Sequence, residues 1–176
     1  MITRDPTISG PFDDALKRLG ITLPAAPKPV ASYVPFVRSG NQVFISGQLP
    51  SQDGKVLFAG AVPTAVSPEQ GAEAAKLCAI NAIAVLKDAC VGELSKVVRI
   101  VRIGVYVQSA DGFDGQPKVA NGASDLLVAV FGDVGKHASA AVGVNALPLN
   151  AAVELEMVVE LKPAASHLMP GARPGL

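Results

Sequence analysis

The chain reads as a single α+β domain in which one mixed six-stranded sheet carries two helices on one face. Three observations predict this. The blocks follow in the order hairpin, helix, long strand, helix, strand pair, and none recurs at a solenoid period. Val153, Leu155, Met157, Val159 and Leu161 alternate with Glu154, Glu156 and Glu160, the period of two that sends side chains to opposite faces of a strand. Ser67-Pro68-Glu69-Gln70 is a full helix start: Ser as N-cap, Pro at the first helical position and Gln three residues on to close a capping box.

In chain order, residues 1–29 form an N-terminal extension with a short helix over Pro11 to Leu19. Gly20 stops that helix and Ile21 packs back. Pro24, Pro27, Pro29 and Pro35 keep the following segment extended on its way to the sheet. The main domain spans 30–162. Two short strands turn at Ser39-Gly40-Asn41, and Gly47 marks a bulge or a close backbone approach. Asp53-Gly54 signals a second hairpin, leading into the strand Lys55 to Gly60. A helix rich in Ala runs from Ser67 to about Ala89, gripping through Leu77, Ile80, Ile83 and Leu86. The strand 97–109 is apolar enough to be central and covered on both sides, with Val98, Ile100, Arg102, Gly104 and Tyr106 on one face. A second helix covers Pro117 to Phe131 and stops at Gly132. Residues 163–176 have the composition of a disordered tail.

The stretch His137 to Leu161 is expected to be a strand pair turning at Leu147-Pro148-Leu149-Asn150. Its first strand divides into Ala140, Val142, Val144 and Ala146 for the core, and a slim row of Ser139, Ala141, Gly143 and Asn145 beside the carboxylates. A solvated face has no reason to avoid Lys, Thr or Gln, so this row points to a surface that receives another chain or a small ligand.

Composition excludes several classes. The net charge is zero, which gives nucleic acid or an anionic membrane little long-range attraction. Two Tyr, six Phe and no Trp supply a poor base-stacking platform. No apolar run approaches the roughly 20 residues of a membrane span. The start MITRDPTISG lacks the cationic-then-apolar pattern of a secretory signal. Cys78 and Cys90, too far apart along one helix to bridge, read as small buried hydrophobes in a reducing compartment, so the expected location is cytoplasmic. His137 and His167 are distant, no Cys-x-x-Cys occurs, and neither a metal cluster nor a phosphate loop is spaced correctly.

Tyr33-Val34, then Ser39 to Pro50 (SGNQVFISGQLP), resembles the N-terminal signature of the RidA (YjgF) family. Ala141-Val142-Gly143-Val144, then Leu147-Pro148 and Val153-Glu154-Leu155-Glu156, resembles its C-terminal signature. The likeness covers about residues 30–161. The N-terminal segment, the tail and the run Asn121 to Leu127 resemble a longer bacterial branch. The resemblance implies a chorismate-mutase-like fold, a barrel-like homotrimer with ligand clefts between subunits, and cofactor-free hydrolysis of 2-imino or enamine acids to 2-keto acids and ammonia. By position, Glu154 would orient the attacking water as the catalytic group. Tyr33, Ser46 and Asn121 would line the substrate site.

Ser139 occupies the place of the family's substrate-anchoring arginine, and Ala141 that of a frequent cysteine. A serine hydroxyl offers one neutral donor where a guanidinium offers two charge-assisted ones. The implied substrate is therefore uncharged at that end, or larger, unless Lys136, His137 or Arg102 supplies the cation. The alternatives are a non-catalytic metabolite-binding or regulatory protein on the same scaffold, and an endoribonuclease or translation inhibitor. Zero charge and sparse aromatics speak against the last.

Overall fold

A computed structural model describes residues 10–26 and 33–163. The tail expected beyond 163 and the prolines at 27 and 29 lie outside the described residues.

Helix α1 (Pro11–Arg18) ends as its sequence dictates: Gly20 has φ +69°, and the Ile21 amide bonds back to the Leu16 carbonyl at 2.9 Å. It docks through Leu16, through Phe12, whose ring lies tilted 59° to that of Phe131 with centroids 4.9 Å apart, and through Asp13, paired with Lys87 at 2.7 Å.

Strands β1 (Phe36–Ser39) and β2 (Gln42–Gln48) form the first hairpin, turning on Gly40. The ladder from β2 to its next neighbour slips between Ile45 and Gln48, which is the bulge Gly47 announces. Strands β3 (Ser51–Gln52) and β4 (Lys55–Val56) form the second hairpin over Asp53 and Gly54, both at positive φ. This hairpin stands apart as its own two-stranded sheet. The expected sixth strand meets the main sheet only through the single bridge Ala59–Ala151, so the main sheet has five strands.

Helix α2 (Pro68–Ala89) begins with both capping-box bonds formed: Ser67 Oγ accepts from the Gln70 amide at 3.1 Å and Gln70 Oε1 from the Ser67 amide at 2.9 Å. Its buried residues include the small Ala74, Ala75, Cys78, Ala79 and Ala82, which let its axis approach the sheet, and the larger Ile83, Val85 and Leu86. Helix α3 (Gln116–Phe131) crosses α2 where Gly122 faces the Ala72 backbone. Both helices cover the same side of the sheet, and the core lies between.

The strand order is β1-β2-β7-β5-β6, with β5 (Val97–Gln108) between β7 (Val153–Leu161) and β6 (Ala138–Val144). β5 and β6 are parallel, joined by α3, and the other pairs are antiparallel, so the sheet is mixed as expected.

Three strand expectations are corrected. The stretch 137–161 is no hairpin, because β5 lies between its two strands. The β6 faces are inverted: Ser139, Ala141 and Gly143 stand in register with the buried Ile103, Val105 and Val107, and therefore point to the helix side. Ala140 and Val142 stand beside Gly104 and Tyr106 on the other side, with the carboxylates. The slim row serves α3, since a Cβ on Gly143 would meet Gln116 Nε2 at 2.9 Å and Ser109 Oγ at 3.1 Å. Finally, β5 is covered on one face only, and register slips on either side of Arg99–Ile100 turn Ile100 into the core, away from the face of Arg102, Gly104 and Tyr106.

Candidate functional site

The helix-free side of the sheet carries the candidate site. Along β7 the even positions Glu154, Glu156, Val158 and Glu160 face this side, while the odd positions are buried under the helices. Each of the first two carboxylates rests on a glycine of a neighbouring strand. A Cβ on Gly47 would lie 2.9 Å from Glu154 Cδ, and one on Gly104 would lie 2.7 Å from Glu156 Oε1. The room beneath the carboxylates comes from Gly47 and Gly104, not from the β6 row expected to supply it.

The two carboxylates differ in their company. Glu156 Oε1 accepts from Arg102 Nη1 at 3.1 Å and from the Tyr106 hydroxyl at 3.2 Å. Glu154 has no hydrogen-bond or ion-pair partner among the described residues. Burial pushes the Glu154 carboxyl above its ordinary range, and the nearby Glu156 charge adds to the rise. Tyr106, opposite Glu154 in the ladder, is also raised, by burial first and then by Glu156.

Glu154 opens into a cleft of about 470 Å³, bounded by Gly47, Tyr33, Leu49, Val56 and Leu149. The bulge at Gly47 makes the floor. The turn Pro148–Asn150, with Leu149 at φ +56°, makes the lip. Asn81, nearly buried in α2, fixes the wall by donating to the Leu49 carbonyl at 2.9 Å and the Ser51 carbonyl at 3.0 Å. A separate cavity of about 360 Å³ lies behind this wall, closed by Pro24 and Ala25 of the N-terminal segment.

Of the residues singled out in the sequence, the structure brings Tyr33 and Glu154 to one cleft. Ser46 sits next to Gly47 and donates to the Val34 carbonyl at 2.7 Å, tying β2 to the incoming segment. Asn121 is exposed on α3, and Ser139 is exposed on the edge strand β6, on the helix side by register. Within one chain neither shares the Glu154 cleft.

The substitute cations are engaged elsewhere. Arg102 holds Glu156, and Lys136 pairs with Asp133 at 2.8 Å. His137 Nδ1 donates to the Gly135 carbonyl at 2.6 Å, and its Nε2 shares a hydrogen bond with Ser124 Oγ at 3.0 Å. Tyr106, Glu156 and Asn81 were not singled out as site residues. The pairing of Tyr106 with Glu156 was readable only as a shared strand parity, and the role of Asn81 had no sequence signal beyond an Asn inside a helix.

An α+β domain with helices on one face of its sheet, and a carboxylate cleft at the edge of the bare face, defines a chorismate-mutase-like class of protein. Residues 13–161 match the family model described as "YjgF/chorismate_mutase-like, putative endoribonuclease". Protein TCP17 of Trypanosoma cruzi is 45% identical over 154 residues, covering 87% of this chain and 96% of that protein. Among solved structures, the protein Atu1372 of Agrobacterium tumefaciens is similar at 44% identity and a TM-score of 0.81, over 86% of this chain and 92% of that one. A protein of Shewanella oneidensis, described as a putative endoribonuclease, is similar at 33% identity and a TM-score of 0.82, over 86% and 100%. The chain belongs to the RidA/YjgF family. Among the described residues no helix is long and apolar enough to cross a membrane.

Proposed function

We propose that this protein is a homotrimer whose inter-subunit clefts hydrolyse the imine or enamine form of a small metabolite other than a free 2-imino acid. The observation that carries the reading is Glu154: a half-buried carboxylate, seated on Gly47, open to a cleft and without a partner. Such a group can hold a water against an imine carbon. The water oxygen bonds to that carbon while one of its protons passes to Glu154. That proton then goes to the nitrogen, giving a carbinolamine; Glu154 next takes the remaining hydroxyl proton and passes it to the nitrogen as the carbon–nitrogen bond breaks, so that a carbonyl compound and ammonia leave. All atoms balance without a cofactor. The raised pKa suits this use, because a carboxyl that holds its proton more firmly is a better base when ionised.

The trimer is supported by the uncovered sheet face, where Val37, Phe44 and Val142 are 54%, 44% and 46% exposed. The family resemblance implies that Ser139 and Asn121, outside the cleft of their own chain, would reach a neighbour's Glu154 from the edge strand β6 and from α3. Cys78 and Cys90, both free and buried, support a reducing compartment and hence the cytoplasm.

The test is imine hydrolysis coupled to an imine-generating oxidase. A rate above buffer that Glu154→Gln abolishes is the expected result. No rate from a folded trimer removes catalysis and leaves metabolite binding, which native mass spectrometry would reveal as retained mass. Loss of RNA integrity at physiological salt, abolished by Glu154→Ala, would overturn both in favour of the nuclease description attached to the family.

A further inference from the structure

The Glu154 cleft is chemically one-sided. Its walls are the apolar surfaces of Tyr33, Leu49, Val56 and Leu149, its neutral polar groups are Gln48 and Ser51, and its one charge is the Glu154 carboxylate. Among the described residues, the subunit that supplies Glu154 contributes no lysine, arginine or histidine to the lining. Arg102, Lys136 and His137, the residues considered as substitutes for the missing arginine, are bonded to Glu156, Asp133 and Gly135.

An anionic ligand entering this space would set two like charges together in a partly dehydrated site, with no counter-ion from the subunit that supplies Glu154. A cationic ligand would do the reverse. It would give Glu154 the partner it lacks, through charge-assisted hydrogen bonds, while its apolar body covered Leu49, Val56 and Leu149. The Tyr33 ring at the mouth adds a face that attracts cations. The volume, about 470 Å³, is that of a small-molecule site.

We infer that the cleft selects a protonated amine or iminium with an apolar body and no carboxylate, its nitrogen on Glu154. This rests on the Glu154 cleft being the ligand site, as proposed above, and names the class of molecule it takes. For catalysis the substrate would then be the imine of an apolar amine.

The inference is tested by calorimetric titration of the full chain at about pH 7 with benzylamine, benzoate and benzyl alcohol, which share a ring and differ in charge. Benzylamine is expected to bind at least about tenfold more tightly than benzoate. Glu154→Gln should remove about tenfold of that affinity, while Glu160→Gln, on the same strand, leaves it unchanged. Benzoate binding as tightly as benzylamine overturns the inference, as does undetectable benzylamine binding or affinity that survives Glu154→Gln. Should the Gln variant fail to fold, the comparison of the three ligands on the natural protein decides. The two readings fail separately: benzylamine binding without imine hydrolysis removes catalysis alone, and 2-imino acid turnover with a preference for benzoate removes the cationic ligand alone.

Discussion

The carboxylate of Glu154 lies over the bare Cα of Gly47, so close that a methyl group there would stand 2.9 Å from Glu154 Cδ and 3.2 Å from its Cγ. The Gly47 bulge and the Glu154 position on β7 are thus one device: the missing side chain of one strand is the seat of the functional side chain of the next.

Gly47→Ala should therefore harm function more than stability. What the methyl displaces is the end of a flexible side chain, and the cost in folding is expected within about 1 kcal/mol. Ligand affinity or hydrolysis is expected to fall about 10- to 100-fold, because Glu154 must leave its position. Melting curves set beside titration or rate data check this, and parallel losses in both would contradict it.

Glu154→Gln should stabilise the protein at neutral pH. The Glu154 carboxyl is raised above its ordinary 4.5, by burial and then by Glu156. Below 4.5 the folded and unfolded chains both hold the proton. As pH rises past that value the unfolded chain releases it first, so folding stability falls until the folded group ionises, and stays lower above. Glutamine has no such loss. A gain in Tm of about 1–3 °C near pH 7 is expected, small because the group is half exposed, and it should vanish near pH 4. A variant that melts lower than the natural protein at pH 7 would refute the sign.

Gly122→Ala should be costly where Gly47→Ala is not. Its methyl would stand 2.6 Å from the Ala72 carbonyl carbon and 3.0 Å from its Cα, both backbone atoms of α2. The two helices must separate, at about 2–3 kcal/mol and roughly 5–10 °C in Tm. Trimming Ala72 to Gly should not rescue it, since the obstruction is main chain. A thermal melt of the single and double variants decides.

Phe44→Glu tests the assembly. Phe44 stands opposite Val37 on one side and Val158 on the other, on the uncovered face. A carboxylate there should leave the monomer fold intact, because the core lies on the other side of the sheet, yet convert trimer to monomer in light scattering. A trimer that persists would move the interface elsewhere.

Ser139→Arg tests the link between β6 and the cleft of a neighbouring subunit. Restoring a guanidinium should raise hydrolysis of 2-imino acids at least about tenfold over the natural protein, through bidentate capture of their carboxylate. An unchanged rate would separate Ser139 from the cleft.

What was readable in the sequence was what short-range physics decides. The Ser67–Gln70 capping box, the Gly20 stop, the turns at Gly40 and Asp53-Gly54 and the alternation of β7 each depend on residues within a few positions of one another, and all appear as expected. The pairing of distant motifs around Tyr33 and Glu154 carried the family and, through it, the class of fold.

Only the tertiary structure decided which partner each strand takes and which way its faces point. Alternation says that Ser139, Ala141 and Gly143 share a side, but small residues on both faces of β6 leave the choice of side to its neighbours. The strand lies parallel to β5 under α3, so the slim row fits the helix, and the room beneath the carboxylates comes from Gly47 and Gly104 on other strands. The same holds for Glu154 and Glu156, identical in sequence pattern. One is paired with Arg102 and hydrogen-bonded by Tyr106 while the other stands unpaired, because a counter-charge is set by contacts that close only when strands far apart in the chain come side by side.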